Sequence, residues 1–316
     1  MNDTFAEDVL KGLSSTPKFL SSKYFYDEKG DELFQQIMNM PEYYLTRSEY
    51  EIFSLQKGQL LKLFQRNDQP FRLIEFGAGD GLKTKVLLEH FLEKKAVFKY
   101  TPIDISGNVL ELLSNDLQQN YPSLSVDPME GEYFQMLEKL SHTDSTRKII
   151  LFLGSNIGNF GEQEALKFLG QLSTKLNPQD SLLIGFDLKK DPEVVLNAYN
   201  DHSGITRAFN LNLLQRINNE LDANFDLTRF KHAPFYDPMT GATKSYLVSM
   251  QKQDVMIASL GKMICFEQWE PIYMEVSQKY DLDMIKNLAD SSGFKVDCNF
   301  FDCKHYFVDS LWSLKN

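Results

Sequence analysis

From Phe71 to about Lys190, short apolar runs alternate with stretches in which apolar residues recur at helical spacing. The runs predict strands at 71–77, 98–105, 124–129, 148–154 and 180–187, with helices between them. Such alternation implies a parallel sheet covered by helices on both faces. Ile149-Ile150-Leu151-Phe152-Leu153 is apolar throughout, as a central strand buried on both sides should be. The run breaks at Gly154-Ser155-Asn156-Ile157-Gly158-Asn159-Phe160. Ligands bind outside the carboxyl ends of the strands in open sheets of this kind, so Asn159 falls where chemistry is expected.

The flanks follow other rules. Residues 5–14 predict a short helix, stopped by Ser15-Thr16-Pro17-Lys18, and Leu33, Phe34 and Ile37 mark a second helix after the aromatic stretch Tyr24-Phe25-Tyr26. Thr46 as N-cap and Glu49 three residues on form a capping box for a third helix, expected to run to about Arg66. Beyond 190 come helices at 191–200 and 205–221, then strand-like segments at 230–236, 243–251, 254–259 and 262–268. Asp237-Pro238-Met239-Thr240-Gly241 has hairpin-loop chemistry. A helix at 281–292 ends at Gly293, and Phe294 to Phe301 with His305 to Leu314 read as an antiparallel pair closing the sheet. The expected organisation is a sheet domain, 63–190 with 276–316, and a smaller α+β domain made of a leading cap, 1–62, and an insert, 191–275.

The first strand ends in Glu75-Phe76-Gly77-Ala78-Gly79-Asp80-Gly81 and passes into a helix at Leu82. Alternate glycines let the backbone take positive φ and lie against a ligand, and the helix that follows directs unpaired N–H groups at the turn. The dinucleotide fingerprint G-x-G-x-x-G would need a third glycine where Leu82 stands, which disfavours a nicotinamide-dependent oxidoreductase. Glu-x-Gly-x-Gly-x-Gly resembles instead the first motif of S-adenosylmethionine-dependent methyltransferases. Asp104, closing the next strand, stands where an acid accepts both ribose hydroxyls in such folds.

Composition narrows the classes further. The chain has 316 residues, 42% hydrophobic and 24% charged, which suits a folded globular protein with a large core. Its 33 basic and 44 acidic side chains leave a net charge of −11, with no basic run, which argues against nucleic acid as partner. No segment reaches the roughly 18 apolar residues of a membrane span. The start Met1-Asn2-Asp3-Thr4 lacks a signal pattern, so a cytoplasmic location is expected. Cys265, Cys298 and Cys303 lack metal-ligand spacing and read as reduced thiols, and no metal is expected. The sequence leaves the oligomeric state open, a monomer included.

Several islands carry a resemblance along nearly the whole chain: Thr16-Pro17-Lys18, Tyr24-Phe25-Tyr26-Asp27, Pro41-Glu42-Tyr43-Tyr44 with Thr46-Arg47, Phe152-Leu153-Gly154-Ser155 with Ile157-Gly158-Asn159, Ala208-Phe209-Asn210, and Glu275-Val276-Ser277. In this order they resemble the histidine N-alpha-methyltransferases of ergothioneine biosynthesis, which use S-adenosylmethionine to convert L-histidine into its trimethylammonium betaine, hercynine. The resemblance implies a Rossmann-like α/β methyltransferase sheet, S-adenosylmethionine as cofactor with S-adenosylhomocysteine as product, and a small amino-acid substrate. It places Gly77, Gly79, Lys83 and Asp104 on the cofactor, with Lys83 at the methionyl carboxylate. Glu132 and Tyr133 fall beside the adenine. Tyr43, Asn159 and Tyr199 would hold the substrate's carboxylate and amine, with Tyr26 and Asn159 closest to the reacting nitrogen. Glu275 and Ser277 would grip the imidazole, a carboxylate accepting from one ring nitrogen while a hydroxyl serves the other. Departures are Glu132, where the family usually has aspartate, Ala78 and Asp80 in the cofactor turn, and Ser245 within Lys244-Ser245-Tyr246-Leu247, expected to be apolar along the substrate wall. Two other readings stay open: the same chemistry on another amino acid or a modified histidine, and a methyltransferase-fold protein that binds without turnover.

Overall fold

A computed structural model of the chain describes residues 3–65, 69–143 and 146–315; Met1, Asn2 and Arg66, on which the leader and helix-end expectations bear, lie outside them. Contacts divide the chain into two units, Leu45–Lys189 with Lys279–Asn316, and Met1–Tyr44 with Lys190–Gln278. The first seam therefore falls ahead of the helix expected in the leading cap, and the last falls beyond Gln278.

The sheet unit opens with α3 (Leu45–Phe64) and continues β2 (Phe71–Phe76), α4 (Leu82–Glu93), β3 (Phe98–Asp104), α5 (Gly107–Asn120), β4 (Met129–Glu130), α6 (Tyr133–Thr143), β5 (Arg147–Phe152), α7 (Glu162–Ser173) and β6 (Ser181–Asp187). It ends with α10 (Leu282–Ser291), β13 (Phe294–Phe301) and β14 (Phe307–Leu314). Among the described residues seven strands form one sheet in the order β13-β14-β6-β5-β2-β3-β4. Neighbours from β6 to β4 are parallel, and β14 runs antiparallel to both β6 and β13. This is the expected α/β sheet with antiparallel C-terminal strands. Because β3 lies on one side of β2 and β5 on the other, the strand order reverses between β2 and β5, where open sheets bind their ligands. Ile74, Phe76, Ile150, Phe152, Leu182, Ile184 and Trp312 fill the core on one face. The strand expected at 124–129 is mostly irregular: Tyr100 bridges Val126, and regular pairing begins only at Met129.

The second unit comprises α1 (Asp3–Leu13), β1 (Lys18–Phe19), α2 (Glu28–Asn39), α8 (Pro192–Tyr199), α9 (Ile205–Leu221), β7 (Phe230–His232), β8 (Phe235–Asp237), β9 (Ala242–Ser249), β10 (Gln253–Ile257), β11 (Lys262–Phe266) and β12 (Pro271–Gln278). β9 is its centre, antiparallel to β12, β7 and β8, and β1 pairs parallel with β12 at one edge. β10 and β11 make a separate hairpin. Phe5, Leu13, Phe25 and Ile37 share a core with Phe209, Leu213, Leu247 and Ile272, so the leading arm and the insert fold as one body.

Sequence periodicity does not predict β12. Proline opens it, and a bulge between Tyr273 and Glu275 breaks its alternation. That bulge has a use. Tyr273 lies opposite Tyr246, whereas Glu275 lies opposite Ser245, so the extra residue turns Glu275 to the face that Ser245 shares with Leu247.

α2 is capped by Asp27, whose carboxylate accepts from Gly30 N at 2.7 Å, and a Cβ at Gly30 would run into the Phe25 carbonyl oxygen. Gly30→Ala is accordingly expected to cost about 1–3 kcal/mol of stability through forced repacking. Urea denaturation of the two proteins measures it.

Candidate functional site

In the sheet unit the site grows from the end of β2. Gly77, Gly79 and Gly81 have φ of +68°, +54° and +64°, all in the left-handed region, which brings the chain from β2 into α4 with no side chain over the turn. Gly77 N donates to Ile103 O (2.8 Å), tying the turn to β3. Below it, the buried Glu75 carboxyl accepts from Thr84 Oγ1 (2.7 Å) in α4 and Tyr100 Oη (2.5 Å) in β3. Burial pushes that carboxyl up to about 7 against the pull of those two bonds.

Asp104, half-buried at the end of β3, holds Ser106 N through one oxygen (3.0 Å) and has the other 3.4 Å from Gly79 N. The Tyr133 ring stacks on Phe76 (4.6 Å between centroids, 6° between planes). A Cβ at Gly77 would stand 3.0 Å from its hydroxyl. Burial, then the charges of Asp104 and Glu132, push that hydroxyl up, so it stays a neutral donor. Glu132, one residue before α6, is exposed. Gly77, Gly79, Asp104 and Tyr133 are thus brought together.

Lys83 has a partner that the sequence did not indicate. Its ammonium is paired with Glu49, a fully buried carboxylate that also accepts from Gly154 N at 2.8 and 3.0 Å. Burial works against the charge of Lys83, while Glu49, then Glu75 and Asp309, hold it protonated. Glu49 is therefore no capping-box residue. Leu45, Glu49 and Phe53 stand at i, i+4 and i+8 on the buried face of α3, and the carboxylate points into the unit instead of back along its own helix. An acid on an apolar stripe is the signal that could have found it. Asn156 was also unmarked by sequence, and its Nδ2 would lie 3.6 Å from a Cβ at Gly77. Asn159 ends the single 3-10 turn after β5 and is exposed; α7 takes Gly161 as its N-cap, so Asn159 does not cap it.

In the second unit, Tyr199 ends α8 and donates from Oη to Ser277 Oγ (2.8 Å), both side chains being buried. Ser277 lies opposite Thr243 and Glu275 opposite Ser245, so all four share one face of the sheet. The hydroxyls of Thr243 and Ser245 are buried without a hydrogen-bond partner among the described residues. Tyr26 is 45% exposed and meets Phe34 and Phe209 edge-on at 5.5 and 5.8 Å. Tyr43 is half-buried against the unit's core. A cavity of about 410 Å³ bordered by Gln36, Met40, Pro41 and Ser203 contains none of the predicted site residues.

Residues 5–314 match the family of SAM-dependent, histidine-specific methyltransferases. The chain belongs to that family. It is 34% identical to the histidine N-alpha-methyltransferase of Mycolicibacterium smegmatis over 88% of this chain and 85% of that one. Identity to the histidine N-alpha-methyltransferase of Mycobacterium tuberculosis is also 34%, over 86% and 83%. Ergothioneine biosynthesis protein 1 of Schizosaccharomyces pombe is 31% identical over 88% of this chain but 36% of its own length.

The glycine turn suits the cofactor of such a methyltransferase. A Cβ at Gly79 would meet nothing within 4 Å, so open space lies over the turn beside Asp104. Among the described residues no helix is long and apolar enough to cross a membrane. Gly79→Ala separates cofactor contact from folding. It should cost only the strain of a left-handed alanine, about 1–2 kcal/mol, yet lower S-adenosylmethionine affinity at least about tenfold. Thermal melting and calorimetry together check this.

Proposed function

We propose that this methyltransferase transfers methyl groups to the α-amine of L-histidine, successively, to give the trimethylammonium betaine. The observation that carries the reading is the shared face of β12 and β9, where Glu275 and Ser277 stand opposite two buried hydroxyls with no partner among the described residues. Buried polar atoms left without protein partners suit a polar ligand. Neutral imidazole has one N–H and one bare nitrogen. Glu275 accepts from the first and Ser277 donates to the second, since its oxygen already accepts from Tyr199. A side chain without ring nitrogens offers Glu275 no N–H and Ser277 no acceptor, which gives discrimination against phenylalanine or leucine.

Tyr43, Tyr199 and Asn159 hold the α-carboxylate and amine with neutral donors, so no second cation competes for the carboxylate. S-adenosylmethionine, when bound, supplies an electrophilic methyl on sulfur. Asp104 takes the ribose hydroxyls, Gly77 and Gly79 admit the cofactor against the backbone, Lys83 meets its carboxylate, and Glu132 and Tyr133 border the adenine. An α-amine has a pKa of about 8 or more and attacks only as the free base. Tyr26 and Asn159 orient that amine, and the proton it sheds passes to solvent by way of Tyr26, a residue that is 45% exposed. The aromatic faces of Tyr26 and Tyr43 stabilise the fixed cation that accumulates with methylation.

A second reading, transfer to a modified histidine or another amino acid, is favoured by Ser245, whose hydroxyl faces a further polar group more readily than an aliphatic wall would. Incubation with S-adenosylmethionine and a panel of amino acids, followed by mass spectrometry, tests both. Histidine alone gaining one, two and three methyl groups is expected. Gain on a different amino acid shifts the assignment to the second reading, and no gain on any of them overturns the function.

Two variants check the division of roles. Glu275→Ala should weaken histidine binding about a hundredfold while changing cofactor affinity less than about threefold. Asp104→Ala should do the reverse, as calorimetry with each ligand separately would report.

A further inference from the structure

Asp309 is the least explained group in the sheet unit. It sits on β14 opposite Gly185 of β6, is fully buried, and neither of its carboxyl oxygens has a hydrogen-bond donor among the described residues. The group it faces is another acid, Glu49, and a Cβ at Gly185 would run into Glu49 Oε1, so a glycine there leaves room for the two carboxyls to meet. Two carboxyls in contact and away from water need a proton between them. The proton belongs on Asp309, because Glu49 already accepts from Gly154 N and is paired with Lys83.

We propose that Glu49 and Asp309 form a buried acid pair sharing one proton, and that this pair positions Lys83 beside Gly154, at the turn where the cofactor's carboxylate is to be met. Asp309 acts through Glu49, and Glu49 through Lys83; both are positioning residues. The assignment rests on the reading that Lys83 meets the cofactor carboxylate. With one proton on the pair, a single negative charge faces a single ammonium. With none, two buried negative charges would face it, and with two, Lys83 would lose its anchor. Four titratable groups interact here: Glu49 from α3, Lys83 from α4, Glu75 from β2 and Asp309 from β14, with Gly185 of β6 at the contact. Burial first, and then the field of Glu49, hold the Asp309 carboxyl protonated well above the ordinary carboxylate range.

Two measurements test this, both on the full chain. The first is calorimetry of S-adenosylmethionine binding to wild type, Glu49→Gln, Lys83→Met and the double variant. Each single change is expected to weaken binding about tenfold or more, and the double variant to be no weaker than Lys83→Met, because a positioning residue has nothing left to act through. Additive losses, or unchanged affinity in Glu49→Gln, overturn the positioning role. Unchanged affinity in Lys83→Met overturns instead the reading of Lys83 on which it rests.

The second is the stability of Asp309→Asn against wild type at about pH 5 and about pH 8. A carboxyl whose folded-state pKa is raised contributes stability that is present below its unfolded pKa and lost as pH rises through the folded value. The asparagine variant should therefore gain on wild type as pH rises from 5 to 8, read as a growing difference in melting temperature. A difference that is constant, or that shrinks because Asp309 is ionised and paired with Lys83, overturns the shared proton.

Discussion

Buried carboxyls organise the sheet unit around its glycine turn, and the constraint they impose is that each must be answered from another element. Glu75 binds Thr84 and Tyr100, joining β2 to α4 and β3 beneath the glycine turn. Glu49 reaches from α3 to Gly154 N and to Lys83, joining a helix outside the alternating pattern to the loop after β5. An isolated buried carboxylate costs several kcal/mol, so these contacts are conditions for folding as much as features of the site. The glycine turn keeps its left-handed geometry because what lies under it is fixed.

The sheet was legible because its signals are local. Apolar runs broken by glycine, with helices between, define β2, β3, β5 and β6 to within a residue or two, and Asp104 and the glycines follow from strand ends. What was not legible depends on partners distant in the chain. β12 hides its alternation behind a bulge, and β1 is two residues long, defined only by pairing with β12. Glu49 satisfied a local capping rule, yet α3 packs on β14 and β6, and its acid turns to that side. The extended stretch before Met129 has strand composition but a single bridge, because β4 reaches β3 only at its last residues.

The two units differ in how they present chemistry. In the sheet unit the backbone does most of the work, through positive φ, strand ends and a helix start, and substitutions at Ala78, Asp80 and Glu132 leave that frame intact. In the second unit Glu275, Ser277, Thr243 and Ser245 share one sheet face set by register, so a single-residue slip of β12 would carry Glu275 and Ser277 to the opposite side. Ser245 sits in that register as a small polar residue, its hydroxyl buried without a hydrogen-bond partner among the described residues.

The strand bearing Glu275 and Ser277 would be an open edge but for Lys18 and Phe19, with Lys18 also ion-paired to Glu270, 252 positions downstream. That sheet is thereby built from two separate stretches of sequence. A chimera that grafts the insert of a relative onto this chain, while keeping the native leading segment, would join an edge strand and a neighbour that never evolved together; moving that sheet intact requires that both travel as one cassette.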